Sequence, residues 1–158
     1  MRVHDDKSLE CEQCGFVIYH STAAAVVVII EFGEQILLTQ RANDPFKGML
    51  AFPGGFVDYL ESLEQAIIRE MKEELNLDLP APVYFGSWGD RYPFRDIGYY
   101  SCVAYFTARI ADISQLKAAD DVSQYYLEQP SSIDPERLAF DADRKALRAY
   151  LGRYVSNK

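Results

Sequence analysis

No run of 18 or more apolar residues occurs in this chain, so no segment is expected to span a bilayer as a helix. The opening MRVHDDKSLE is acidic and polar where a secretory leader would be basic and then apolar. Basic residues are scarce beside acidic ones. The 16 Lys and Arg against 24 Asp and Glu leave a formal net charge of −8, the wrong sign for holding a phosphate backbone over a broad surface. Cysteine is scarce as well, and three residues (Cys11, Cys14 and Cys102) do not make the disulfide framework of a small secreted domain. No internal repeat, low-complexity tract or Pro/Gly/Ser linker divides the chain. These absences lead us to expect a cytoplasmic protein with no membrane and no nucleic-acid partner, in which a phosphate ligand would need a divalent cation as intermediary.

What is present suits one domain. The 158 residues are 49% hydrophobic and 13% aromatic, enough for a core without a disulfide or metal staple. Residues 1–20 read as a polar lead-in with a cysteine-bearing knuckle, and residues 21–158 as the domain proper. Residues 22–30 (TAAAVVVII) and 35–39 (QILLT) flank a Gly33 turn and predict a hairpin; residues 41–48 read as a loop. Residues 83–88, 99–110 and 122–128 have the aromatic and β-branched character of strands. A closing helix starts at Asp134-Pro135 or at Asp141. Strands surrounding two helices predict an α+β fold, a mixed β-sheet in an α/β/α sandwich.

The first of those helices carries the chemistry. Residues 61–75 place Leu63, Ile67, Met71 and Leu75 on one stripe, at roughly 20°, 60°, 100° and 140° from Glu70 at 100° per residue. On the same wheel Glu74 falls at about 40°, inside the stripe, with Glu73 at about 300° beside it. Glu61, Gln65, Arg69 and Lys72 take the other side. A Glu-rich helix usually presents a solvated, ion-paired face, but carboxylates in an apolar stripe repel one another and take up protons unless a cation compensates. Glu70, Glu73 and Glu74 therefore suggest a Mg²⁺ or Mn²⁺ site, because hard cations take oxygen ligands. Gly54 and Gly55 would let backbone approach such a site, although two glycines alone would also make a tight turn.

This segment resembles the Nudix box, the signature of the Nudix hydrolases, in Gly55, Glu61, Arg69, Glu70, Met71, Glu73, Glu74 and Leu77 at the family's spacing. Asn76 stands where the family usually has Gly, a mild departure at a helix C-terminus, and Leu60 replaces another common Gly. The resemblance implies a pyrophosphohydrolase that uses Mg²⁺ or Mn²⁺ to cleave a nucleoside diphosphate linked to another moiety. It implies Glu70 and Glu74 as the firmest metal ligands, Glu73 as a further one, Gly55 as a carbonyl donor, and Arg69 and Glu61 as the groups that orient them. A non-catalytic nucleotide sensor and a noncanonical nucleoside triphosphate pyrophosphohydrolase are the alternatives.

Residues 36–58 and the late LAFDADRKAL look like the NADH pyrophosphatase branch of that superfamily, and CEQCGFVIYH resembles half of that branch's zinc ribbon. NADH and ADP-ribose are thus the first candidate substrates. The branch's substrate motif, however, is echoed only by Ser87, Trp88, Pro93 and Phe94. Cys11 and Cys14 offer two of four zinc thiolates, and His4 and His20 complete no defensible spacing, so a degenerate, metal-free knuckle is the favoured reading of a Zn²⁺ site. Outside the box we expect Arg41 to touch phosphate. Trp88, Tyr92, Phe94, Tyr99 or Tyr100 would stack on a base, with Arg91 or Arg95 on phosphate and residues 91–98 as the recognition loop. Asp120 or Asp121 could add a metal ligand, Cys102 is expected to be buried and inert, and a homodimer is left open.

Overall fold

The computed structural model describes residues 1–95 and 97–156. It begins with a small antiparallel sheet, β1 (Arg2–Asp5), β2 (Ser8–Glu10) and β3 (Val17–Tyr19). The main sheet has seven strands: β4 (Ala23–Phe32), β5 (Gln35–Arg41), β6 (Leu50–Ala51), β7 (Gly54–Phe56), β8 (Val83–Phe94), β9 (Ile97–Ile110) and β10 (Val122–Glu128). Its order is β10-β5-β4-β9-β8, with β6 on β5 and β7 on β4. The β4·β9 pair is parallel and the other pairs antiparallel, so the sheet is mixed. Two helices complete the fold, α1 (Leu63–Leu75) and α2 (Asp141–Ser156).

Strand alternation explains the layering. On β4, Val26, Val28 and Ile30 pack with Ala66, Ile67, Met71 and Leu75 of α1. The alternate residues Ala25 and Ile29 pack with Ala142, Ala146, Leu147 and Tyr150 of α2. A strand buried on both faces reads as the continuous apolar run seen at residues 25–30, and the two cores lie on opposite faces of one sheet. The result is the expected α+β sandwich. Among the described residues no helix is long and apolar enough to cross a membrane.

Several boundaries differ from expectation. The stretch foreseen as a recognition loop, residues 91–98, is mostly the end of β8 and the start of β9, paired as Arg91↔Tyr100, Tyr92↔Tyr99 and Pro93↔Gly98. The Tyr-rich sequence favours extended pairing, and the reversal is confined to the Arg95 turn. Asp134 caps only a short 3₁₀ turn, Pro135–Arg137, and α2 starts at Asp141. Cys102 is exposed, not buried. Alternation puts it on the face shared by Ala104 and Phe106, but past the residues that pack under α1.

Candidate functional site

Ser62 opens α1 with a reciprocal capping box, accepting from Gln65 N–H at 3.2 Å while the Gln65 side chain accepts from Ser62 N–H at 2.9 Å. Asn76 closes it in the left-handed conformation, φ 51°, as its place in the box suggested. Between these caps the wheel delivers its inward carboxylates. Glu74 is buried, 6% exposed, and accepts a 3.0 Å hydrogen bond from Gly54 N–H. Burial, then the neighbouring Glu70 charge, and further the Asp121 and Asp120 charges, push its carboxyl up to about 8 against the relief given by Gly54. Glu70 is also raised, chiefly by burial, with Arg69 opposing the shift.

Both glycines are needed by this geometry. Gly54 has φ 148°, and a Cβ there would meet the Val26 carbonyl. A Cβ on Gly55 would overlap the Glu70 carboxylate, so the missing side chain is the space into which that carboxylate is set.

Arg69 departs from the solvated position expected for it. Its guanidinium bonds Glu61 at 2.8 and 3.0 Å, Glu70 at 2.8 Å, Glu73 at 3.0 Å and the Phe56 carbonyl at 3.0 Å. Glu61, in the turn before the helix, is held below the usual carboxylate range by the Arg69 bond first and by Asp58 N–H second. Glu73 is exposed and shares Arg69 with the half-buried Glu70, while Glu74 is buried.

Among the described residues no three His, Cys, Asp or Glu side chains form a finished metal cage. The donors nevertheless fit a hard divalent cation. They are all oxygens, Glu74 is a buried carboxylate with no basic side chain bonded to it, and Gly55 leaves room beside Glu70. Arg69 takes one oxygen each of Glu70 and Glu73, which leaves the second oxygen of each carboxylate for a cation.

Glu74 borders a cleft that Arg41, Asp121, Tyr92, Phe56 and Phe140 also line. Arg41 Nε donates to the Pro45 carbonyl at 2.7 Å and its guanidinium lies 5.0 Å from the Phe140 ring centre. Asp121 accepts from Asn43 at 2.7 Å. The Tyr92 ring stacks on Phe140, centroids 5.9 Å apart at 22°, and meets Phe56 edge-on at 5.3 Å. Two residues expected at the substrate are placed differently. Trp88 packs against Tyr105 and Phe85 in the core, with centroids 5.2 and 6.0 Å away. Arg91 is exposed on β8 and lies against Gly98. The Phe94 side chain lies outside the described residues.

One buried group had escaped the sequence reading. Asp143 of α2 lines the cleft at 1% exposure, accepting from Tyr105 Oη at 2.7 Å and from Phe52 N–H at 3.3 Å. Burial pushes its carboxyl up to about 7, the Tyr105 bond opposing. The wheel applied to α1 would have found it, because Asp143, Ala146, Leu147 and Tyr150 follow one another at helical spacing.

At the N-terminal knuckle, Cys11 and Cys14 are free thiols. Backbone N–H groups of Cys14 and Gln13, and the Cys14 side chain, lower the Cys11 thiol. His20 follows β3 and donates its N–H to Lys7 O, at the end of β2 away from Cys11. The His4 side chain lies outside the described residues.

A family model described as the NUDIX domain matches residues 20–150. The chain is 36% identical over 135 residues to the ADP-ribose pyrophosphatase of Methanocaldococcus jannaschii, an alignment covering 85% of this chain and 76% of that protein. It is 31% identical over 94 residues to the NAD-capped RNA hydrolase NudC of Haemophilus influenzae, covering 58% of this chain but only 36% of NudC. Among solved structures, a NUDIX hydrolase from Nitrosomonas europaea has a TM-score of 0.74 at 23% identity, covering 90% of this chain and 77% of that one. The NUDIX domain of Shewanella oneidensis NrtR, complexed with ADP ribose, gives 0.69 at 23% identity over 86% and 90%. Both structural likenesses speak for the fold.

Proposed function

The chain belongs to the Nudix hydrolase family, and from that premise we propose that it cleaves the pyrophosphate of a small nucleoside diphosphate linked to another moiety, with ADP-ribose ahead of NADH. The observation that carries the reading is Glu74, a buried carboxylate raised to about 8 beside Glu70 at the edge of the cleft, which is the environment of an acid pair built to share a cation. ADP-ribose leads because the archaeal ADP-ribose pyrophosphatase is matched over most of its length, whereas NudC is matched over about a third. The −8 net charge favours a small nucleotide over a long phosphate backbone.

Glu70 and Glu74 would hold Mg²⁺ or Mn²⁺, with Gly55 offering its carbonyl, Glu73 as a further ligand, and Asp121 of the cleft or its neighbour Asp120 adding an acidic group. Such a cation, when bound, neutralises pyrophosphate charge and lowers the pKa of an attacking water. Arg69 keeps Glu61 and the glutamates in register. Arg41 is the basic side chain that lines the cleft and is placed to pair a substrate phosphate. Tyr92, one of the aromatics expected to stack on a base, and Phe140, already stacked on it, offer a flat surface for a nucleobase. At the knuckle the metal-free reading is kept, with Cys11 and Cys14 as free thiols.

The test is a panel of ADP-ribose, NADH and nucleoside triphosphates with Mg²⁺ or Mn²⁺. The expected products are AMP and ribose 5-phosphate from ADP-ribose. Monophosphate plus pyrophosphate from a triphosphate would shift the assignment to noncanonical nucleotides, and tight binding without products would make the protein a sensor.

A further inference from the structure

Residues 51–54 lie between the two helices and connect one face of the sheet with the other. Ala51 O accepts from the buried Thr39 hydroxyl at 3.1 Å, and Phe52 N–H donates to Asp143 Oδ2 of α2 at 3.3 Å. Pro53 O accepts from Val28 N–H of β4 at 3.0 Å, and Gly54 N–H donates to Glu74 Oε2 of α1 at 3.0 Å. Phe52 sits in the core under α2, while Glu74 belongs to the helix on the other face. Four consecutive residues are thus each fixed by a different anchor, and two of those anchors are carboxylates on opposite helices. Asp143 is itself held from a second side by Tyr105 Oη, which fixes which of its oxygens is left for Phe52. At its N-terminus, α2 is tied to β8 by Asp90 Oδ2, which accepts from Ala142 N–H at 3.1 Å.

We propose that Asp143 is a positioning residue for the divalent-metal site: by holding Phe52 N–H it sets the height of the Gly54-Gly55 backbone, and through it the orientation of Glu74 and the space beside Glu70. The inference rests on the metal-site reading of Glu70 and Glu74. Neither Asp143 nor Tyr105 needs to touch the cation for this. A partner that orients a ligand from behind commonly changes metal affinity by about tenfold to a hundredfold. The Asp143 anchor differs from ordinary core packing in being a directional bond to a backbone donor three residues before Gly55.

The experiment titrates Mn²⁺ onto the full chain, following free Mn²⁺ by electron paramagnetic resonance, well below the melting temperature of each variant. Asp143→Leu keeps bulk but removes the acceptor, and the expected result is Mn²⁺ affinity weakened by roughly tenfold or more. Asp143→Asn restores it to near the wild-type value, because the amide oxygen can take Phe52 N–H while the amide N–H turns to the Tyr105 hydroxyl, which can accept. Asp143→Ser, which cannot span the gap and adds no bulk, serves if the leucine variant does not fold. Leu147→Ala, a buried cavity one turn along α2, controls for loss of stability and should leave Mn²⁺ affinity unchanged. Wild-type affinity in a folded Asp143→Leu or Asp143→Ser protein overturns the proposal. An unchanged affinity in Glu74→Gln instead overturns the metal-site reading on which it stands, so the two failures are told apart.

Discussion

At the scale of single residues, Glu74 and Asp143 are two carboxyls kept largely from water by the same physics and put to different uses. Glu74 has one backbone donor and acidic neighbours, so its charged form lacks a cation. Replacing it by Gln keeps the Gly54 bond and removes the charge. Turnover in the presence of Mg²⁺ should then fall by roughly a hundredfold to a thousandfold, since several kcal/mol of charge stabilisation go with the ligand. Steady-state kinetics on the best substrate measures it. Asp143 gives a pH prediction. Its carboxyl lies near 7 in the fold against 3.8 as an ordinary Asp, so the folded state holds its proton more tightly than the unfolded chain does. Stability linked to that proton is fully present below about pH 4 and is lost as pH rises to about 7. Thermal melts of wild type and Asp143→Asn across this range should show the asparagine variant gaining on wild type as pH rises. Asp90 raises and Arg41 lowers the same carboxyl, so both are left in place in that comparison.

At the scale of elements, α1 is a helix whose ends are written in its sequence. Ser62 and Gln65 make the capping box and Asn76 the left-handed stop, so Ser62→Ala should cost about 1 kcal/mol in urea unfolding. Gly54→Ala places a Cβ against the Val26 carbonyl in a conformation that L-residues rarely adopt, and should destabilise by about 2 kcal/mol or more by the same measurement. The inward glutamates of α1 could be read because both the apolar stripe and the carboxylates obey one period. The strands of β4 and β5 were equally readable from their apolar runs and the Gly33 turn. The far end of the β8–β9 ribbon was not, although residues 83–88 and 99–110 read as strands, because Gly, Asp and Pro at 89, 90 and 93 signal turns locally while the pairing that overrides them comes from a strand reached only after the reversal. Trp88 shares its face of β8 with Asp90 and Tyr92, which line the cleft, and it packs on the core because it sits further back along the strand, a distance that local sequence does not reveal.

At the scale of the molecule, two cores on opposite faces of one sheet leave α1 and α2 to approach the same cleft from opposite sides, with residues 51–54 passing between them. A cation that binds the folded chain and not the unfolded one raises stability by mass action. Millimolar Mn²⁺ should therefore raise the melting temperature of wild type more than that of Glu74→Gln, and a chelator should reverse the gain, as calorimetry can follow. The fold class followed from the order of strands and helices, and the acid pair from the helical period. The Asp143 contacts did not, since they depend on which distant strands the fold sets opposite α2.

The central claim is that Glu70 and Glu74 point inward because they hold a divalent cation. Crystals soaked in Mn²⁺ and measured at its absorption edge test it most directly. The account predicts an anomalous peak among the Glu70 and Glu74 carboxylates and the Gly55 carbonyl. No peak there at saturating Mn²⁺ would contradict it.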